Sequence, residues 1–149
     1  MKNREYLSTL FNGYREKGHE VFVVTLTAFV KSESYAKSWV MTDYWENVFI
    51  RRIQKHLPYK LKAKIDHRFV IERSPKGNFH YHGLIAAPID VAGRIYRDGK
   101  LNRHISRDLA RLNKEGKYRN HTIKKFEIEP AINIDCWVNY ITKTNDYIH

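Results

Sequence analysis

His80 and His82 are the residues in this chain whose type and spacing best suit metal chemistry. Side chains alternate across a strand, so positions 80 and 82 share one face, and two imidazoles so placed can hold one metal ion. Glu72 stands eight residues before His80. If the segments around 72 and 80 pair as an antiparallel hairpin with Glu72 opposite His80 or His82, all three side chains share that face. A one-residue slip would separate them. Two imidazoles and a carboxylate leave coordination positions open for water and substrate, as a catalytic metal site requires. A plainer reading also exists. The chain has eight histidines, and Glu72 can serve as a surface ion-pair partner of Arg68 or Arg73. His67 is an odd number of residues from Glu72, so it belongs on the other face and ranks below Glu72 as a ligand.

Two further groups carry possible chemistry. Tyr140 and Lys143 stand at i and i+3, which on a helix puts them on nearly the same side. A tyrosine can act as a covalent nucleophile if its phenol is placed and activated, and a neighbouring lysine favours the phenolate or neutralises a phosphate. The plain alternative is a core tyrosine with a snorkelling lysine. Tyr147 is a weaker second candidate, because Thr144, Asn145 and Asp146 are expected to end the helix before it. Arg103, Arg107 and Arg111 recur every fourth residue and Lys114 follows at i+3, giving one cationic helical face. It is either a solvated face or a phosphate-contacting one.

The elements that must position these residues follow from hydropathy period and punctuation. The β-branched and aromatic run at 20–30 predicts a buried strand. A polar break with Ser32 or Ser34 as cap precedes a helix over 35–57, whose apolar positions include Tyr35, Trp39, Trp45, Phe49, Ile53 and Leu57; Pro58 closes it. Residues 64–73 and 79–87 predict two strands joined by a turn at 74–78. A small hairpin over 94–101 is expected, with its turn at Asp98 and Gly99. The basic helix spans about 102–114, a strand 122–129 ends at Pro130, and a last helix covers about 133–144. The order β-α-β-β-α-β-α predicts an α+β domain, a ferredoxin- or RRM-like split βαβ with a central antiparallel sheet of about five strands.

Composition bounds the class. The chain has 149 residues, which predicts one domain over 1–149. Its 27 Lys and Arg against 16 Asp and Glu give a formal net charge of +11. Residues 91–125 hold eleven basic and three acidic residues, hence +8 of that surplus. The excess points to an anionic partner, most often nucleic acid. Cys136 is the only cysteine, which excludes a disulfide framework and a cysteine-based zinc site and fits a reducing compartment. No apolar run approaches the ~18–20 residues that span a bilayer, and residues 1–11 lack a signal peptide's apolar stretch. The expectation is a soluble cytoplasmic protein.

Taken in order, these pieces resemble the HUH endonuclease superfamily, with the rolling-circle replication initiators of plasmids, phages and small single-stranded DNA viruses as the nearest branch. Val24, Thr25, Leu26 and Thr27 resemble the family's first motif. His80, Tyr81 and His82 resemble its His-hydrophobic-His motif. Tyr140, Ile141, Thr142 and Lys143 resemble its Tyr-x-x-Lys motif. Glu72 is similar in position and type to its third metal ligand. The tyrosine follows the histidines, unlike conjugative relaxases. The resemblance implies a single-tyrosine enzyme holding Mg²⁺ or Mn²⁺ on Glu72, His80 and His82. Tyr140 would attack the scissile phosphate of single-stranded DNA at an origin or hairpin, leaving a 5′-phosphotyrosine and a free 3′-OH, with Lys143 assisting. Arg103, Arg107, Arg111 and Lys114 would track the DNA backbone. No Walker-type loop is present, so unwinding falls to a host helicase, or the chain is an excised domain without its helicase. Two other readings stay open: a single-strand transposase of the same superfamily, and a non-catalytic RRM-like module stacking bases on Phe79 and Tyr81.

Overall fold

The computed structural model describes residues 3–30, 50, 51, 54, 65–73, 79–96, 100–115 and 121–143; for some of these, His80 among them, only the backbone is described. The elements are helix α1 (Asn3–Glu16), strand β1 (His19–Val30), strands β2 (Asp66–Arg73) and β3 (Phe79–Pro88), helices α2 (Ile89–Tyr96) and α3 (Lys100–Glu115), strand β4 (His121–Pro130) and helix α4 (Ile134–Ile141). Among the described residues the sheet has four strands in the order β2-β3-β1-β4, every neighbour antiparallel. The fold is α+β, and no fifth strand lies within the described residues. Of the two central strands, β1 is the one whose β-branched and aromatic run reads as buried.

Helix α1 is an element that the charged N-terminal sequence does not advertise. Leu7 and Phe11 sit one turn apart and are fully buried, with Leu10 and Tyr14 packed beside them. Each such burial contributes roughly 1.5–3 kcal/mol, enough to fix a helix whose remaining surface is polar. Glu5 in the first turn and Arg15 in the last complement the helix dipole. Gly18, at φ +83°, turns the chain into β1 in a conformation that L side chains rarely adopt.

The sheet separates two packed layers. On one face Val21, Val70, Leu84 and Ala86 meet Leu7 and Phe11 of α1 and Ile134, Val138 and Ile141 of α4. The two helices run side by side, tied by Asn12 Nδ2 donating to Asp135 Oδ1 at 2.8 Å and Arg4 Nε donating to Thr142 Oγ1 at 3.1 Å. The other face carries Phe22, Val24, Leu26, Phe69, Ile71, Tyr81, Ile85 and Ile128, all buried. Helix α2 packs against β1, β3 and β4, and α3 packs against α2 and β4.

Two expectations are corrected. The hairpin over 94–101 is not formed where residues are described: 89–96 are the helix α2 and Lys100 opens α3. Pro88 ends the β3 ladder, Asp90 suits a first helical turn, and Ala92 is buried against the sheet. This packing overrides the strand propensity of Ile95 and Tyr96; the expected turn at Asp98 and Gly99 lies outside the described residues. Helix α4 stops at Ile141, short of 144. Asn133 caps its start by accepting from the Cys136 amide at 2.9 Å, and the Thr142 hydroxyl donates to the Val138 carbonyl at 2.7 Å as the backbone leaves helical geometry. Of the helix expected over 35–57, only Ile50, Arg51 and Gln54 are described; all three are helical and Ile50 is buried. The expected turn at 74–78 and the cap at Ser32 or Ser34 lie outside the described residues.

Candidate active site

Strand register does the first part of the assembly. Glu72 on β2 stands opposite His80 on β3, and His82 stands between Val70 on β2 and Thr25 on β1. Backbone positions 72, 80 and 82 therefore lie on one face of the sheet, as the even index sum requires. It is the face under α1 and α4. His82 is buried at 3% exposure, and its Nε2 lies 2.9 Å from Glu72 Oε2. Its Nδ1 faces the Thr25 hydroxyl at 3.5 Å. The side chain of His80 is outside the described residues, so it joins the pair by register alone.

Helix α4 brings the second part. The rings of Trp137 and Tyr140 both stand edge-on to the His82 imidazole, at 5.5 and 5.6 Å between centroids. The two rings lie 5.6 Å from each other at a tilt of 31°. Lys143, in the turn just past the helix, places Nζ 3.4 Å from Glu72 Oε1 and 4.3 Å from the centroid of Tyr140. Glu72, His82, Tyr140 and Lys143 thus form one cluster, and Tyr140 is 47% exposed at its mouth. The carboxylate is held between an imidazole and an ammonium, so its charge is neutralised locally even though little water reaches it.

The donor set suits a divalent cation. Glu72 and His82 offer one oxygen and one nitrogen ligand on a common face, and His80 occupies the backbone position opposite Glu72. Mixed imidazole and carboxylate ligands accept Mg²⁺, Mn²⁺ and softer ions alike, so supply selects among them. To ligate through Nε2, His82 must carry its proton on Nδ1. The Thr25 hydroxyl can donate to or accept from that nitrogen, so it tolerates either tautomer. Among the described residues, no three His, Cys, Asp or Glu side chains gather as a metal set; the described set is the Glu72–His82 pair.

Other expected residues lie elsewhere. Arg103, Arg107, Arg111 and Lys114 are exposed along α3, which packs on α2 and β4. His67 stands opposite Ile85, on the other face from Glu72. Tyr147 lies outside the described residues. Two neighbours of His82 escape a reading of the sequence. Trp137 walls the cluster with its indole Nε1 buried and without a hydrogen-bond partner among the described residues; its i, i+3 spacing to Tyr140 is the available signal. Thr25 reads as part of a motif, but its approach to His82 requires the β1–β3 register.

A second polar cluster occupies the same face at the far end of β2. Tyr14 donates to Asp66 Oδ2 at 2.6 Å, and the Arg68 guanidinium bonds the other carboxylate oxygen. Burial works to raise the Asp66 carboxyl, but donors from Tyr14, Arg68 and the His67 amide outweigh it and hold the group below its ordinary range. The bond to Asp66, with burial second, pushes the Tyr14 phenol up to about 12.

No protein-family model, curated protein or solved structure matches the chain. No helix among the described residues is long and apolar enough to cross a membrane.

Proposed function

We propose that this chain is a HUH-type single-strand DNA endonuclease and strand transferase that initiates rolling-circle replication in its host's cytoplasm. The observation that carries this reading is the meeting of Tyr140 and Lys143 with the Glu72–His82 pair. Glu72, His82 and His80 would hold Mg²⁺ or Mn²⁺, which when bound polarises the scissile phosphate. Tyr140, exposed at the mouth, attacks phosphorus through its phenolic oxygen. The Oη–P bond forms as the phenol gives up its proton, the P–O3′ bond breaks, and the departing 3′ oxygen takes up one proton, so the step is proton-neutral overall. The products are a 5′-phosphotyrosine and a free 3′-OH, and a later 3′-OH reverses the step to join strands. Lys143 stabilises the phenolate or the phosphate. The strand order supports the finer architecture we assign, a ferredoxin-like split βαβ. The exposed cations of α3 would contact the DNA backbone, and a host helicase would supply unwinding.

A base-stacking RRM-like module is disfavoured by one observation: Tyr81, one of its two stacking candidates, is 1% exposed and sits in the core of the opposite face. The test is incubation with single-stranded hairpin oligonucleotides and Mn²⁺, followed by a denaturing gel. A covalent protein–DNA adduct is expected. Tyr140→Phe should lose it while retaining DNA binding by filter retention. An adduct that survives this substitution, or cleavage that survives EDTA, overturns the assignment.

A further inference from the structure

Lys143 touches two members of the cluster at once. Its ammonium lies 3.4 Å from Glu72 Oε1 and 4.3 Å from the Tyr140 ring centroid. His82 Nε2 holds the other carboxylate oxygen, Oε2, at 2.9 Å. Both oxygens of Glu72 are therefore engaged, one of them by a full positive charge. A divalent cation drawn to this carboxylate meets that ammonium, and two like charges on one carboxylate repel. Their mobility differs. The Glu72 side chain is 12% exposed and held on β2, whereas the Lys143 side chain is 47% exposed on a turn beyond the helix end. Lys143 is the partner that can yield.

We propose that Lys143 and a divalent cation compete for Glu72, so that metal loading moves the ammonium off the carboxylate and onto Tyr140. The inference rests on the metal reading of Glu72 and His82. It makes Lys143 a positioning residue whose charge is transferred from the carboxylate to the nucleophile. The phenol then acquires an undivided cation only when the metal is bound. A second consequence is that the chain binds metal less tightly than its ligands alone would allow.

Mn²⁺ titration of the full chain, with free ion counted by electron paramagnetic resonance, tests this without any cleavage assay. Wild type, Lys143→Gln, Lys143→Arg and Glu72→Gln are compared at one pH and ionic strength, each checked for folding by circular dichroism. Removing the competing charge in Lys143→Gln should tighten Mn²⁺ binding by about three- to tenfold, the size expected of a half-exposed ion pair and its repulsion. Lys143→Arg keeps the charge and should stay near wild type. Glu72→Gln should bind more weakly. If Lys143→Gln binds no more tightly than wild type while Glu72→Gln weakens binding, the competition is overturned and the metal site stands. If Glu72→Gln leaves affinity unchanged, the metal is not on this carboxylate and both readings fall.

Discussion

His82 is where the chemistry of this chain narrows to single atoms. One ring nitrogen meets Glu72, the other faces Thr25, and two aromatic rings close on its edges. An imidazole held on so many sides has one orientation, which a ligand needs. Thr25→Val keeps the shape and removes the hydroxyl. The 3.5 Å separation marks a weak hydrogen bond, so the cost in urea unfolding should be small, about 0.5 kcal/mol. The effect on Mn²⁺ affinity should be larger, at about tenfold, the low end for groups that orient a ligand. Thr25→Ser should restore most of it, and a Thr25→Val chain with unaltered affinity would remove Thr25 from the site. At this scale the sequence is informative about parity. The even separation of 72, 80 and 82 places them on one face once the hairpin pairs Glu72 with His80 or His82. It does not show that the Tyr140 ring meets His82, because that meeting depends on how a distant helix docks, which no local pattern encodes.

Elements behave differently, since their stability rests on faces rather than atoms. The cluster of Tyr14, Asp66 and Arg68 ties α1 to β2, and its protonation sets when that tie holds. The Asp66 carboxyl lies below its ordinary range in the fold, so its charged form stabilises the folded chain. That contribution is complete above the unfolded value of about 4 and is lost as pH falls through the lower folded value. Tyr14 is shifted up to about 12 from 10.0, so its neutral form is favoured, and its contribution holds below pH 10 and is lost as pH rises towards 12. Both groups are partly solvent-exposed, so screening leaves about 1 kcal/mol at neutral pH. Asp66→Asn should lower the urea midpoint at pH 7 and flatten its fall in acid; an acid limb identical to wild type would contradict this. The strands are legible because β-branched residues and turn punctuation agree along them, to within a residue or two at each end. Helix α1 is not, because Asn3, Arg4, Glu5, Arg15 and Glu16 hide the Leu7, Leu10, Phe11 and Tyr14 spacing. Helix α2 is disguised because Ile95 and Tyr96 favour strands locally, and only the sheet beneath explains their helical state.

At the scale of the whole molecule, charge and chemistry occupy different elements. The surplus of +11 is visible in the sequence and so is its concentration in 91–125. Its position is not: Arg103 and Arg107 are exposed on α3, which packs on α2 and β4, whereas Tyr140 stands on α4. Replacing Arg103 and Arg107 with alanine should weaken single-stranded DNA binding and reduce the slope of log affinity against log salt by about 1.4, roughly 0.7 for each phosphate left without its arginine. A slope that does not move would show that this face holds no phosphate. The pairing of α1 with α4 carries a further consequence, for synthesis. The ribosome releases α1 first and its partner helix after every described strand, so Leu7 and Phe11 wait with one side bare. Throughout that interval the nascent chain owns an imidazole and a carboxylate but no phenol beside them. Under the proposed chemistry it stays harmless to DNA until α4 has emerged and docked.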